Sequence, residues 1–343
     1  MELLLHRFDL RLRHTFTIAH DSRDVQQTLI VELRDGALSG FGEATANPYY
    51  GITIDRMITD LGQVRSQIET ADWSSAEALW ELVHDALKTN PFAQCALDEA
   101  AHDLVAKRAG KPLYAHWGLD PTPIPLTNFT IGLDTPAVML SKMQEMPWPL
   151  YKIKLGRGDD DLALLRLLRQ HCDTDRGPVR FRVDANCGWT AEQTLAYAPE
   201  LIELGVEFIE QPLPAGDWVG MARLCAESPL PIIADESCIA EADVARCANY
   251  FHGINIKLTK CGGLTPARRM IAEARQRGLS VMVGCMTESS VGISAIAHLL
   301  PLLDYVDMDG SLLITNDPAT GVTFDYGQVR FADSNGTGAA LIN

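Results

Sequence analysis

Apolar residues recur along the chain with two periods. Leu3 to Leu12 and Thr28 to Leu33 read as strands, and Arg34-Asp35-Gly36 is a turn signal leading into a third such run, Leu38 to Ala44. Three longer stretches then carry the helical period: Ile54 to Glu69, Ser75 to Lys88, and Pro91 to Arg108, the last stopped by Gly110 and Pro112. Strands followed by helices predict a small α+β unit over residues 1–120. From about Pro123 the pattern becomes a repeat. Strand-like runs fall at Leu126 to Leu133, Tyr151 to Leu155, Val179 to Val183, Glu207 to Ile209 and Pro231 to Ala234, then at Gly253 to Leu258, Ser280 to Gly284 and Tyr305 to Met308. Amphipathic helical stretches lie between them. Strands at intervals of about 25 residues, joined by right-handed crossovers, predict a parallel β/α barrel over residues 121–312. After Leu313 the chain is rich in Gly, Asp and Thr and has no helical period, so residues 313–343 are expected to return to the first unit.

The barrel strands end on charged residues. Lys152-Ile-Lys154, Asp184-Ala-Asn186, Glu210-Gln-Pro and Asp235-Glu236 each close an apolar run, and the three acids Asp184, Glu210 and Asp235 are about 25 residues apart. One acid at a strand end is usually a cap or loop residue, whereas three in phase with successive strand ends gather at the mouth of a barrel. Their donors are hard oxygens, which suit Mg²⁺ better than zinc or copper. Alternate side chains of a strand share a face, so Lys152 and Lys154 both point into the barrel, as do Asp307 and Asp309. Two ammonium groups buried together are expected to lower one another's pKa, which a lysine base needs near neutral pH. Lys257, in Gly253-Ile-Asn-Ile-Lys257-Leu, comes from the strand after Asp235 and is expected across the mouth from Lys154. Two lysines facing one carbon from opposite sides suit racemisation or epimerisation.

Composition narrows the partners. A chain of 343 residues that is 47% hydrophobic can build a large barrel and a smaller domain, and a net charge of -16 with no basic patch argues against nucleic acid or an anionic membrane. The eight cysteines are scattered without a CxxC, so neither a disulfide framework nor a zinc site is expected, and a reducing compartment fits. Charge interrupts the first apolar residues too soon for a signal sequence, and no run approaches a membrane span, so a soluble cytoplasmic protein is expected. The nine histidines form no ligand-spaced cluster, and His298 is expected to be a core or interface residue.

In order and spacing these pieces resemble the enolase superfamily, in its muconate-lactonizing subgroup, and within that the dipeptide epimerases. The resemblance runs from Cys95-Ala-Leu-Asp-Glu-Ala-Ala-His-Asp-Leu through Lys152-Ile-Lys154, Asp184-Ala-Asn186, Glu210-Gln-Pro and Ala234-Asp235-Glu236-Ser237. It continues through Asn255-Ile-Lys257-Leu-Thr-Lys-Cys-Gly-Gly263, Val283-Gly-Cys-Met286 and Asp307-Met-Asp309. It implies a (β/α)7β barrel with an N-terminal α+β capping domain completed by the C-terminal tail. It further implies one Mg²⁺ held by Asp184, Glu210 and Asp235, with Asn186 and Glu236 beside the ligands and with Lys154 and Lys257 as the acid/base pair. Lys152 would hold the substrate carboxylate, the metal would stabilise the ene-diolate formed when the α-proton leaves, and Thr130 and Cys285 would line the substrate. Asp307 and Asp309, away from the metal, would seat the ammonium group of a dipeptide.

By the same resemblance, Phe16-Thr-Ile-Ala-His-Asp-Ser-Arg23 corresponds to a mobile capping loop in which Arg23 would receive a glutamate side chain, and Asn47-Pro-Tyr-Tyr-Gly51 to a second loop over the site. The expected reaction is epimerisation of a dipeptide at its C-terminal residue, with L-Ala-D/L-Glu from murein peptides as substrate and a homo-oligomer possible. Other L-Ala-Xaa dipeptides, N-acylamino acid racemisation and o-succinylbenzoate synthesis remain alternatives on the same scaffold. A Schiff-base barrel lyase or a non-catalytic binding barrel would be a different class, and neither accounts for two lysines bracketing three acids.

Overall fold

The computed structural model describes residues 1–18, 21–156, 158, 160–172 and 177–342. Its first unit is an antiparallel sheet of β1 (Glu2–Ile18), β2 (Asp21–Asp35) and β3 (Leu38–Thr45), in that order, covered by α1 (Ile54–Thr70), α2 (Ala76–Leu87) and α3 (Pro91–Arg108). Each helix opens on a side-chain cap: Thr53, Ser75 and Asn90 accept the backbone N–H of Arg56, Ala78 and Ala93. The helix α3 is buried almost all round, because the sheet lies on one side and the second unit on the other. Two glycines of β3 allow that close approach. A Cβ at Gly40 or Gly42 would lie 2.2 Å from the carbonyl oxygen of Ala100 or Ala96.

The strands β1 and β2 are longer than the apolar pattern predicts. They form one hairpin whose register shifts between Arg11 and Phe16 and then resumes with Phe16 opposite Arg23 and Thr17 opposite Ser22. The segment expected as a loop over 16–23 is therefore paired backbone on both sides, while residues 19 and 20 lie outside the described residues. Its polar side chains hid it, since an arm with little buried surface has only the short alternation Phe16-Thr17-Ile18 to reveal it.

The second unit is a parallel sheet of eight strands in sequential order: β4 (Phe129–Ile131), β5 (Leu150–Lys154), β6 (Arg180–Asp184), β7 (Val206–Glu210), β8 (Ile232–Ala234), β9 (Gly253–Ile256), β10 (Ser280–Gly284) and β11 (Tyr305–Asp307). A parallel bridge between Thr127 and Val306 joins its two edges, so the sheet closes into the expected barrel. Outward-facing side chains such as Ile153, Val183, Ile209 and Ile254 pack beneath the helices. Inside, Phe208, Ile233 and Met282 stack with Tyr305 into an apolar plug. The Arg182 guanidinium lies over the rings of Phe208 and Tyr305 and donates to the Val306 carbonyl at 2.7 Å. The floor is thus filled, and the polar side chains collect at the other end. Beyond the barrel the tail bridges Ile314 to Leu12, and the Gly336 carbonyl accepts the Leu113 N–H at 2.7 Å, while Thr337 donates to Asp103 beside it.

Buried carboxylates stitch the two units together. Glu43 of β3 accepts the backbone N–H of Ser289 and of Gly292, each at 3.0 Å, and Glu99 of α3 accepts the Glu43 N–H at 2.9 Å. Glu288 accepts the Met286 N–H at 2.8 Å. Burial raises all three pKa values, and burial together with the charge of Glu43 lifts Glu288 from its ordinary 4.5 to about 8. In that window the folded state holds a proton that the unfolded state has lost, so this contribution is present at acid pH and fades as pH rises through about 8. Glu288→Gln is therefore expected to gain stability on the wild type between pH 5 and pH 8, by at most about 1.4 kcal/mol per pH unit. Urea midpoints measured across that range check it.

Candidate active site

The alternation of each barrel strand carries one inward side chain into the plug and the next into the mouth. Lys154, Asp184 and Glu210 are the last residues of β5, β6 and β7, whereas Asp235 and Lys257 directly follow β8 and β9. The three acids Asp184, Glu210 and Asp235 are buried, and each places a carboxylate oxygen within 4.8 Å of the others. Hard oxygens converging in this way fit a divalent cation. Buried oxygens without a hydrogen-bond partner beside them, Asn186 Oδ1 and Glu236 Oε2, fit such a site as well.

Lysines interleave with the acids. Lys152 Nζ, with its side chain 1% exposed, lies 2.7 Å from Glu210, 2.9 Å from Asp307 and 3.4 Å from Asp184. Lys154 donates to Asp184 at 2.6 Å, and Lys257 to Asp235 at 2.8 Å. In a closed ring of eight strands, β5 and β9 are four places apart, which sets Lys154 and Lys257 on opposite walls.

The depression expected of Lys152 is not what this arrangement produces. Burial favours the neutral amine, but Asp307, Glu210 and Asp184 hold Lys152 well above the usual lysine range, and Asp235 does the same for Lys257. Conversely, Asp184 stays below the usual carboxylate range despite its burial, held by Lys154 and Lys152, and Asp235 is held lower still by Lys257 and Lys260. Glu210 is raised by burial and by Asp184, and burial together with the charges of Asp235 and Asp184 pushes Glu236 up to about 7.

Asp307 and Asp309 follow one another on the inner face at β11, but they are not equivalent. Asp307 lies with Asp309 and Cys285 in a group separate from the three acids, but it already has Lys152 as counter-ion and accepts Asn128 Nδ2 at 2.6 Å. It is held below the usual range by Lys152 and Lys154 against its burial. Asp309 accepts the Thr130 N–H, has Cys285 Sγ at 3.9 Å, and is pushed up to about 8 by burial and by the charge of Asp307.

These groups open into a cavity of about 360 Å³ lined by Thr130, Lys152, Lys154, Asn186, Asp235, Glu236, Lys257, Cys285, Asp307 and Asp309 from the barrel. The first unit adds Phe16 and Arg23 from the hairpin and Tyr49 and Tyr50 from the turn Pro48–Tyr50. Arg23 donates to Gln26, and Tyr49 is 67% exposed whereas Tyr50 packs on Phe92.

Three residues at the site carry no role in the sequence reading. Lys260, on the single helical turn after Lys257, donates to Asp235 Oδ1 at 2.6 Å and to its carbonyl at 2.7 Å. Asn255 holds Glu210 at 2.8 Å, and Asn128 holds Asp307. The i+3 spacing from Lys257 was the one signal available for Lys260. The amides gave none, because a neutral asparagine carries no charge or spacing that would mark its partner. His298 is buried, accepts the Tyr114 N–H at 3.0 Å, and is pushed down to about 4 by its burial.

Residues 138–341 match the enolase C-terminal domain-like family, and residues 4–118 match the N-terminal domain of the mandelate racemase / muconate lactonizing enzyme family. The chain belongs to this branch of the enolase superfamily. It is 53% identical over 342 residues to an L-Ala-D/L-amino acid epimerase of Flavobacterium johnsoniae, covering 100% of both chains. Among solved structures it superposes on the substrate-liganded L-Ala-D/L-Glu epimerase of Bacillus subtilis with a TM-score of 0.92 at 26% identity, over 99% of this chain and 100% of that one. It also superposes on a dipeptide epimerase of Cytophaga hutchinsonii complexed with Mg and D-Ala-L-Val, with a TM-score of 0.91 at 25% identity, over 99% and 95% of the two chains.

Removing Lys152 would leave Asp184, Glu210 and Asp307 buried around an empty centre. Lys152→Met is expected to destabilise the fold by about 3–5 kcal/mol, as the loss of one partner from a buried ion pair does. Chemical denaturation with EDTA present measures it.

Proposed function

We propose that the protein is a Mg²⁺-dependent isomerase that epimerises dipeptides at the C-terminal residue, with L-Ala-L-Glu and L-Ala-D-Glu as its substrate pair. The observation that carries this reading is the placement of Lys154 and Lys257 on opposite walls of one cavity, each against an acid of a carboxylate cradle. Asp184, Glu210 and Asp235 would hold the cation, with Asn186 and Glu236 beside them. When bound, the Mg²⁺ supplies positive charge that acidifies the proton next to the substrate carboxylate and offsets the negative charge of the acids around the lysines.

The remaining work falls to the side chains. Lys154 takes the α-proton on one face of the carbon and Lys257 delivers one on the other, and the roles reverse with the opposite epimer. Lys152, fixed beneath them, places a positive charge under the substrate carboxylate. Asp307 and Asp309 bind the dipeptide's ammonium group, with Asp309 losing its proton as the cation arrives, and Thr130 and Cys285 form the wall between. Arg23 receives the glutamate carboxylate from the hairpin, with Gln26 orienting its guanidinium. L-Ala-D-Glu is a murein peptide fragment, so cell-wall peptide turnover is the proposed setting. A reducing, cytoplasmic location accords with eight cysteines that no disulfide joins among the described residues.

The test is solvent exchange in D₂O read by mass shift. The wild type is expected to incorporate one deuteron into either epimer. Lys154→Ala and Lys257→Ala are each expected to lose epimerisation by about 10³-fold or more while retaining exchange with only one of the two epimers, a different one for each variant. Exchange with both epimers in both variants contradicts the assignment.

The same assay over L-Ala-L-Glu, L-Ala-L-Phe and L-Ala-L-Lys addresses the side chain. Arg23→Ala is expected to erase a preference of about tenfold or more for the glutamate dipeptide. An unchanged preference removes Arg23 as the selector.

A further inference from the structure

A second cavity, of about 130 Å³, lies between the hairpin arm and the first barrel strand. It shares Phe16, Thr130 and Leu313 with the larger cavity, so these three residues form the partition between them. Its apolar walls are Leu12, Phe129, Met146 and Leu312. The charged groups at its rim are already engaged. His14 pairs with Glu145 at 2.8 Å, Lys142 with Asp134 at 3.3 Å, and Arg13 Nε donates to the Leu312 carbonyl at 2.9 Å. The space therefore offers a neutral, apolar interior. Packed proteins rarely leave one of this size beside a binding site.

The partition touches the ammonium seat. Thr130 belongs to both cavities and donates its backbone N–H to Asp309. In a dipeptide the carbon that bears the ammonium group also bears the side chain of the first residue. With the ammonium on Asp307 and Asp309 and the carboxylate end at the acid cradle, the partition is where that side chain begins. An alanine methyl needs only the near side. A larger group would pass between Phe16 and Leu313 into the second cavity.

We propose that this cavity is a subsite for the side chain of the substrate's first residue, and that the enzyme accepts uncharged aliphatic or benzyl-sized groups there as well as the methyl of alanine. The volume supports that class, since an apolar cavity of about 150 Å³ takes up a benzene molecule. Cationic first residues are disfavoured, because Glu145, the one acid among the described residues that line the cavity, is already paired with His14. The inference rests on the dipeptide reading above, and its test separates the two.

The experiment measures kcat/KM of the Mg²⁺-loaded enzyme for L-Ala-L-Glu, L-Leu-L-Glu and L-Phe-L-Glu. The wild type is expected to turn over L-Leu-L-Glu within about tenfold of L-Ala-L-Glu. Met146→Trp, which fills the cavity, is expected to lower the Leu-to-Ala ratio by about tenfold or more, and Leu312→Ala, which widens it, to raise the Phe-to-Ala ratio. Reading ratios in opposite directions separates this effect from a general loss of folded enzyme. A ratio that moves in neither variant, or a wild type about 10³-fold slower on L-Leu-L-Glu, overturns the subsite while leaving the epimerase reading intact. Failure to turn over any of the three dipeptides overturns the epimerase reading, and the subsite with it.

Discussion

The structure depends on balancing charge that the barrel has taken out of water. Lys152, Lys154, Lys257 and Lys260 lie among Asp184, Glu210, Asp235 and Asp307, and every one of these eight side chains is within 3 Å of an opposite charge. Isolated, each ion would cost several kcal/mol to bury. Together they form a lattice in which no member moves without exposing another. That lattice keeps the acid cradle in shape before a cation arrives, as preorganised catalysis requires. It also holds Lys257 above the usual lysine range, so a cation entering the cradle beside Asp235 has an electrostatic effect on that lysine as well as on substrate.

A second constraint joins the two units. The barrel supplies lysines and acids, whereas the first unit supplies Phe16, Arg23, Tyr49 and Tyr50 to the same cavity. That division requires a fixed seam. Trp80 Nε1 donates to the Gly262 carbonyl at 3.0 Å, Asp98 accepts the Thr265 N–H at 2.8 Å, and Glu43 accepts two backbone N–H groups at the start of the helix after β10. In the proposed reading the chemistry sits on strand ends, while selectivity sits on a hairpin arm and a turn. Side chains in the second set can vary without disturbing the charge lattice.

Much of this was legible before any coordinates. The eight barrel strands each fall within, or one residue beyond, an apolar run, because both faces of a barrel strand are filled and its signal is strong. The acids and lysines stood out because they end those runs. The end of β1 and the start of β2 were less legible, since they are stabilised by backbone pairing with little burial. Lys260 read as an ordinary helix lysine, and only the fold turns it under Asp235. Nor could sequence spacing reveal that Lys152 reaches Asp307, which is contributed 155 residues later. Glu43, Glu99 and Glu288 were invisible for the same reason. Each is an unremarkable acid locally, and only the seam between the units buries all three.

The central claim is that two lysines address opposite faces of one carbon held over the acid cradle. A crystal structure grown with magnesium and L-Ala-L-Glu tests it most directly. The account predicts a cation bound by Asp184, Glu210 and Asp235, with the glutamate α-carbon lying between Lys154 Nζ and Lys257 Nζ. A cation bound elsewhere, or an α-carbon with both lysines on the same face, would contradict it.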